Sequence, residues 1–304
     1  MHPADELVLF RTNPTDRSES RRLQRARSAG TLVRVRHGVF AERAAWQALD
    51  GRGRHLVQVR AALPDLPRGA VLSHDSAAAL HGVPRLDRWP QRVHATVPDA
   101  VGDAHRVGLT LHAGRVRSDR RRYQGLPIAD LADTVVALAR RSDLSGAVVA
   151  LDHAVRRGVT VTDLAALLDD GPRWGAARAT EALAVCDAAH ESVGESYAAA
   201  RFHELGITGV VAQHEFARPD GRPDRVDFWL PSLGVVIEFD GRQKYQDREM
   251  LAGRSGADVL WAEKLREDRI RARPEVRGFV RVTWWHLVDP ERLRALFRAH
   301  GLHW

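Results

Sequence analysis

With 304 residues, 44% of them hydrophobic and 28% charged, the chain has the length of two or three domains and the composition of an ordinary soluble globular protein. No apolar run reaches membrane-spanning length and the start, MHPADELVLFRTNP, has no signal-peptide core, which excludes a membrane partner and places the chain in the cytoplasm. The single cysteine, Cys186, excludes an internal disulfide and a Cys-based zinc site, while the net charge of +7 points to an anionic partner.

Of the 46 basic residues, 44 are Arg and two are Lys, a bias that looks like coding preference rather than chemistry. Against it, Lys244 and Lys264 stand out, and both fall in the last third of the chain.

In chain order, residues 11–29 are basic, polar and helix-compatible, with Ser18 or Ser20 as cap and Gly30 as stop. Residues 31–40, TLVRVRHGVF, alternate apolar and polar and predict a short hairpin turning near His37 and Gly38. A basic helix followed by a basic wing outlines a winged helix-turn-helix. Arg21, Arg22, Arg25 and Arg27 on the helix and Arg34 and Arg36 on the wing suit phosphate contact with DNA.

AVLSHDSAAALHG predicts a helix capped near Ser73 or Asp75 and stopped by Gly82. Its His74, Asp75 and His81 read better as members of a capped, packed helix than as a metal or acid–base site. RVHATVP and GLTLHAG predict strands, and a second arginine cluster follows at Arg115, Arg117, Arg120, Arg121 and Arg122. DLADTVVALARR, SGAVVALDHAVRRG and TDLAALLDDG predict three helices. Cys186, in the Ala-rich ATEALAVCDAAH, reads as a small core residue rather than a nucleophile.

From about residue 192 the order is α-β-β-β-α-β-α: ESYAAARFHELG, VVAQHEF, RVDFWL, VVIEFD, WAEKLREDRIRAR, GFVRVTWW and PERLRALFRAH. Trp284 and Trp285 end the last strand, with core packing as their expected role. If residues 231–234 form the turn between RVDFWL and VVIEFD, Leu230 pairs with Val235 and Asp227 lies opposite Glu238, with Asp240 on the same face. Two ionised carboxylates opposed on a sheet repel each other, and a hard divalent cation, Mg²⁺ or Mn²⁺, would compensate. Such an ion would neutralise a scissile phosphate and activate water. The competing reading is that the acids are solvated or paired, since the same register sets Arg225 opposite Asp240. Glu195, one turn into the preceding helix, is the third acid able to point over the sheet.

Ser192-x-x-Glu195, Val226-Asp227-Phe228, Val236-Ile237-Glu238-Phe239-Asp240-Gly241 and Arg281-Val282-Thr283-Trp284 resemble the very-short-patch-repair (Vsr) endonuclease-like proteins of the PD-(D/E)XK superfamily over residues 190–304. The resemblance implies a mixed sheet flanked by helices and divalent-metal-dependent cleavage of DNA. By position it implies Asp227 and Glu238 as metal ligands and Glu195 as an auxiliary acid. The superfamily lysine two residues after the acid is replaced by Asp240, so a catalytic amine would have to come from Lys244 or Lys264. LVRVRHGVFA, VLSHDSAAALHGVP and RVHATVP resemble proteins with an AbiEi-type antitoxin domain, which implies operator binding by an N-terminal winged helix.

The expected architecture is a multi-domain α/β chain. A winged helix-turn-helix occupies 1–54, an α+β AbiEi-type region 55–189 and a restriction-endonuclease-like mixed sheet 190–304. The expected function is a DNA-binding, metal-dependent endonuclease. The alternative is an antitoxin-like transcriptional regulator with a degenerate nuclease fold, whose partners are its own promoter and a cognate toxin.

Overall fold

Short acceptor side chains set where the helices of this chain begin. In the computed structural model, which describes residues 2–13, 15–241 and 256–304, Asp16, Asp50, Asp130, Asp143, Thr160, Ser192 and Asp289 each accept a backbone N–H from the first turn of a helix. These are the donors a helix start otherwise leaves unpaired. The first long helix is capped by Asp16 rather than by Ser18 or Ser20: Asp16 Oδ1 accepts from the amides of Ser18 and Glu19 at 2.9 and 3.0 Å. The described residues form a mixed α/β chain with three sheets that divides into two compact units, 1–180 and 181–304. No helix among them is long and apolar enough to cross a membrane.

The first unit opens with α1 (Pro3–Glu6), β1 (Phe10–Arg11), α2 (Arg17–Ser28), β2 (Leu32–Arg36) and β3 (Val39–Glu42), and the strands form a sheet in the order β1-β3-β2. The β2–β3 hairpin turns at His37 and Gly38, where Gly38 takes a φ of +71° that only glycine adopts freely. Two helices follow, α3 (Arg43–Ala48) and α4 (Gly51–Ala62). The core under this region includes Ala4, Leu7, Ala41, Leu49, Leu56, Val57 and Ala79, so apolar packing runs straight across residue 54.

The larger sheet of this unit is built from β4 (Val71–Leu72), β5 (Val93–Val97), β6 (Ala104–Arg106), β7 (Leu109–Ala113), β8 (Ser118–Tyr123) and β9 (Leu126–Ala129), in the order β6-β7-β5-β4-β9-β8. It mixes parallel pairs (β5–β7, β4–β9) with antiparallel ones. Helices α5 (His74–His81), α6 (Leu131–Ala139), α7 (Leu144–Val155) and α8 (Val161–Asp169) complete it, and α9 (Ala176–Val185) crosses the division between units. Cys186 lies just beyond the end of α9, half-buried.

The second unit contains α10 (Val193–Glu204), β10 (Val211–Phe216), β11 (Asp224–Leu230), β12 (Val235–Asp240), α11 (Gly256–Arg271), β13 (Gly278–Thr283), α12 (Trp284–Leu287) and α13 (Pro290–Ala299). The sheet order is β10-β11-β12-β13, antiparallel except for the parallel β12–β13 pair. Helix α10 comes so close to the sheet that a Cβ on Gly194 would lie 1.9 Å from the ring of Phe239. Phe202 of the same helix meets Phe228 edge-on at 5.2 Å. On α11, Ile270 packs with Trp229, Val236 and Phe279. The strand expected to run through Trp284 and Trp285 ends instead at Thr283, which starts α12. Both tryptophans are partly exposed, Trp284 edge-on to Phe239 and Trp285 under the guanidinium of Arg292.

Candidate functional site

The β11–β12 hairpin turns where expected, with Leu230 paired to Val235, Trp229 to Val236 and Phe228 to Ile237. The ladder stops there, one pair short of Asp227 and Glu238. At that point the Asp227 carboxylate takes over the role of a backbone acceptor: its Oδ2 accepts the amide of Phe239 at 2.8 Å. The expected direct cross-strand opposition is therefore replaced by a fork, with Asp227 on one prong and Glu238 on the other. Past Ile237, β12 pairs with β13 alone, Glu238 lying beside Arg281 and Asp240 beside Thr283.

Glu238 is 8% exposed. Burial raises its pKa above the usual carboxylate range, and the charges of Asp227 and Glu263 push the same way, against the pull of Arg266. Arg266, from the third turn of α11, donates to Glu238 Oε1 at 2.6 Å, to Glu263 Oε1 at 2.7 Å and to the carbonyl of Arg225 at 2.7 Å. Burial alone would lower the Arg266 pKa, but Glu263 and Glu238 together raise it, so the guanidinium stays charged. At the start of β11 Asp224, 2% exposed at its side chain, is held by Arg269 at 2.8 Å. The sequence reading missed Arg266, because nothing marks this arginine among 44 as the partner of a residue 28 positions earlier.

Glu195 is buried and its carboxylate is fully used. Oε1 accepts from the Ser192 hydroxyl at 2.6 Å, and Oε2 accepts from the amide of Glu191 at 2.9 Å and from Gln213 Nε2 at 2.7 Å. Ser192 Oγ in turn accepts the Glu195 amide at 3.2 Å, so Ser192-x-x-Glu195 closes the start of α10. Gln213 has a left-handed φ of +50° and sits between the pairs Ala212–Phe228 and His214–Val226, opposite Asp227. Through Gln213, the helix cap and the fork lie on one line.

The expected Arg225–Asp240 pair does not form, because Arg225 turns to Glu191 at 2.9 Å. Asp240 is half-buried, and its carboxylate makes no hydrogen bond or ion pair with the described residues. Lys264 is exposed, with its ammonium 5.8 Å from the centre of the Trp261 ring. Lys244 lies outside the described residues. Among those residues no group of three or more His, Cys, Asp or Glu side chains is arranged to hold a metal ion. The two carboxylates of the fork are hard oxygen donors of the kind Mg²⁺ uses when it keeps most of its water. Arg266 already supplies one positive charge there.

In the first unit Arg21, Arg22, Arg25 and Arg27 of α2 and Arg34 of β2 are exposed. Arg22 reaches Glu19 at 3.7 Å, an exposed pair of little energetic weight. Arg36 differs from the rest: it is bound to Asp65 at 2.9 Å and is half-buried. Much of the second arginine cluster is also paired, Arg115 with Asp99, Arg117 with Asp130 and Asp133, and Arg121 with Asp119.

No family model and no curated protein matches this chain. Among solved structures it is similar to the crystal structure of the RV2827C protein from Mycobacterium tuberculosis, at 18% identity over 72% of this chain and 86% of that one, with a TM-score of 0.35.

Proposed function

We propose that this protein is a DNA-binding, divalent-metal-dependent endonuclease, in which a winged helix formed by α2 and the β2–β3 hairpin holds the duplex and the Asp227–Glu238 fork carries the hydrolytic site. The observation that carries the reading is the fork itself. Two carboxylates from adjacent strands are held at the point where a β-ladder opens, one of them buried with a raised pKa. Acids brought together with one of them buried cost stability, and carboxylates perturbed in this way concentrate at functional sites. The strand order, three antiparallel strands and a parallel fourth with helices between, supports a restriction-endonuclease-like arrangement.

Asp227 and Glu238 would hold Mg²⁺ or Mn²⁺, which when bound supplies positive charge to the scissile phosphate and lowers the pKa of attacking water. The Asp227 carboxylate is oriented by the Phe239 amide, and Gln213 couples the strand beside it to the buried Glu195. Arg266 neutralises Glu238, and with a cation on Glu238 its guanidinium would be available to a phosphate oxygen. Lys244 is the amine that would compensate for Asp240.

A second reading rests on one observation, the Arg266–Glu238 ion pair at 2.6 Å. If that pair is permanent, the fork is a structural remnant, and the chain is an antitoxin-like regulator that binds its own promoter or a cognate toxin without cutting.

Incubation of the full chain with supercoiled, mismatched and single-stranded DNA in Mg²⁺ or Mn²⁺, beside Asp227→Ala and Glu238→Ala, separates the two. Metal-dependent nicking abolished by both substitutions supports the nuclease. DNA binding intact in all three proteins, with no cleavage of any substrate, supports the regulator.

A further inference from the structure

The first unit contains a cavity of about 840 Å³ that the proposed nuclease does not use, within the size range of small-molecule sites. His74 and His112 line it, and His94 stacks behind them. The rings of His74 and His112 lie 3.7 Å apart and nearly parallel, and His94 stacks on His112 at 5.2 Å.

The hydrogen bonds fix how these rings carry their protons. His112 Nδ1 faces Asp103 Oδ2 at 3.3 Å and so donates to that carboxylate, which leaves Nε2 to accept from His94 Nδ1 at 3.0 Å. Ser73 Oγ accepts from Thr96 Oγ1 at 2.9 Å, which leaves its own proton available to His74 Nδ1 at 3.0 Å. With the Ser73 proton in that bond the His74 proton sits on Nε2, and the ring is then a neutral donor in the lining of the cavity. His74 holds this position at a φ of +49°, a left-handed conformation costly for a side-chain-bearing residue and typical of binding and catalytic sites. Asp75, next in the chain, is buried and neutralised by Arg85.

The walls and mouth add two features. Val136, Ala137, Leu167 and Pro172 give apolar surface. At the mouth Trp174 is 64% exposed, and the Arg141 guanidinium lies 5.8 Å from the centre of its ring. Arg115 and Arg117 are bound to aspartates, and Arg140 is turned to the carbonyls of Leu168, Pro172 and Trp174. Among these lining arginines Arg141 alone has a guanidinium with no hydrogen bond or ion pair to the described residues, its side-chain contact being with the Trp174 ring. Its charge is felt at His74, His94 and His112.

We infer that this cavity binds a nucleoside monophosphate group, its base stacked on Trp174 and its phosphate held by Arg141 and the Nε2–H of His74. An exposed tryptophan suits a planar ring of any base, because stacking uses the π-face that all bases share. A guanidinium with no carboxylate partner beside a neutral donor suits a phosphate oxygen. The group has two sources, a free nucleotide or the 5′-phosphorylated end of a DNA strand. The site requires neither the metal nor the fork, so it stands independently of the nuclease reading.

Titration of the full chain with AMP, GMP, CMP and UMP, and with the matching nucleosides, by calorimetry and tryptophan fluorescence tests the inference. At least one monophosphate is expected to bind at a single site, with its nucleoside weaker by about tenfold or more. Trp174→Leu and Arg141→Gln, both at exposed positions and checked for folding by circular dichroism, are each expected to weaken it by about tenfold. A short single-stranded oligonucleotide with and without a 5′-phosphate forms the second arm. A phosphate-dependent affinity lost in Arg141→Gln assigns the site to strand ends, and no phosphate dependence assigns it to the free nucleotide. Absence of binding by every monophosphate and by the phosphorylated end at millimolar concentration overturns the inference, as does binding unchanged in both variants.

Discussion

The two units of this protein bury polar groups against their sheets in opposite ways. The six-stranded sheet of the first unit buries histidines and keeps them neutral. The four-stranded sheet of the second buries carboxylates and pairs them with arginines. Burial pushes His94 down to about 3 and His55 to about 4, and it lowers His74 and His112 as well. Burial pushes Glu238 up. A neutral imidazole costs little to desolvate while a carboxylate costs much more, which is why Glu238 and Asp224 take Arg266 and Arg269 whereas the histidines are held by one another, hydroxyls, backbone carbonyls and the Asp103 carboxylate.

The largest expected effect is on the pH dependence of the first unit. A histidine with a depressed folded pKa contributes stability that is full above 6.5 and is lost as pH falls toward the folded value. Each such group costs about 1.4 kcal/mol per pH unit in that window. His55 and His94 together should therefore make the first unit acid-labile between pH 6.5 and about 4. Glu238 works in the other direction, because a raised folded pKa gives stability that is present below the unfolded value and lost as pH rises through the raised one. Hydrogen exchange followed peptide by peptide from pH 7 to 4.5 should show protection falling in the strands around His94 and Thr110 well before it falls around Glu238. Equal loss in both sheets would remove the contrast.

Next comes Arg266→Met, which leaves Glu238 buried without its partner and should destabilise the second unit by about 3–5 kcal/mol at neutral pH. The loss should shrink as pH falls and Glu238 protonates, and it should shrink again in a Glu238→Gln background, a coupling read by a double-mutant cycle in urea. An unchanged cost in that background would mean that Arg266 acts through Glu263 and the Arg225 carbonyl instead. Gly194→Ala forces a methyl into the Phe239 ring and should cost about 1–3 kcal/mol in the same unit, leaving the first unit's protection intact.

The smallest effects belong to the basic helix. Alanine at Arg21, Arg25, Arg27 or Arg34 should each weaken DNA binding and reduce the salt slope by about 1. Arg36→Ala should leave that slope unchanged, since its guanidinium is already bound to Asp65. A full unit lost at Arg36 would contradict the proposed contact surface.

What could be read from the sequence follows the same division. The second unit was largely legible because its strands are short apolar runs with clear turns, and the residue 231–234 turn alone sets the Leu230–Val235 register. The fork was not legible, because it depends on the Asp227 side chain displacing a ladder bond, and Arg266 was hidden because its partnership is made across the fold. In the first unit α4 escaped notice: GRGRHLVQVRAA starts with two glycines and is buried on several sides, so it has no apolar stripe. The β8 strand SDRRRY looks like a charged loop because it is the polar edge of its sheet. His94 and His112 were passed over within two predicted strands. The parallel register sets His94 beside Thr110 and His112 beside Thr96, which brings the two rings together on the diagonal, and that register cannot be read from either strand alone.

The most direct test of the proposed site is Mn²⁺ binding by the full chain, measured by calorimetry and electron paramagnetic resonance beside Asp227→Asn and Glu238→Gln. One Mn²⁺ site in the parent that both substitutions abolish is the expected result. Manganese affinity identical in all three proteins, or absent from the parent, would contradict a metal site at the fork.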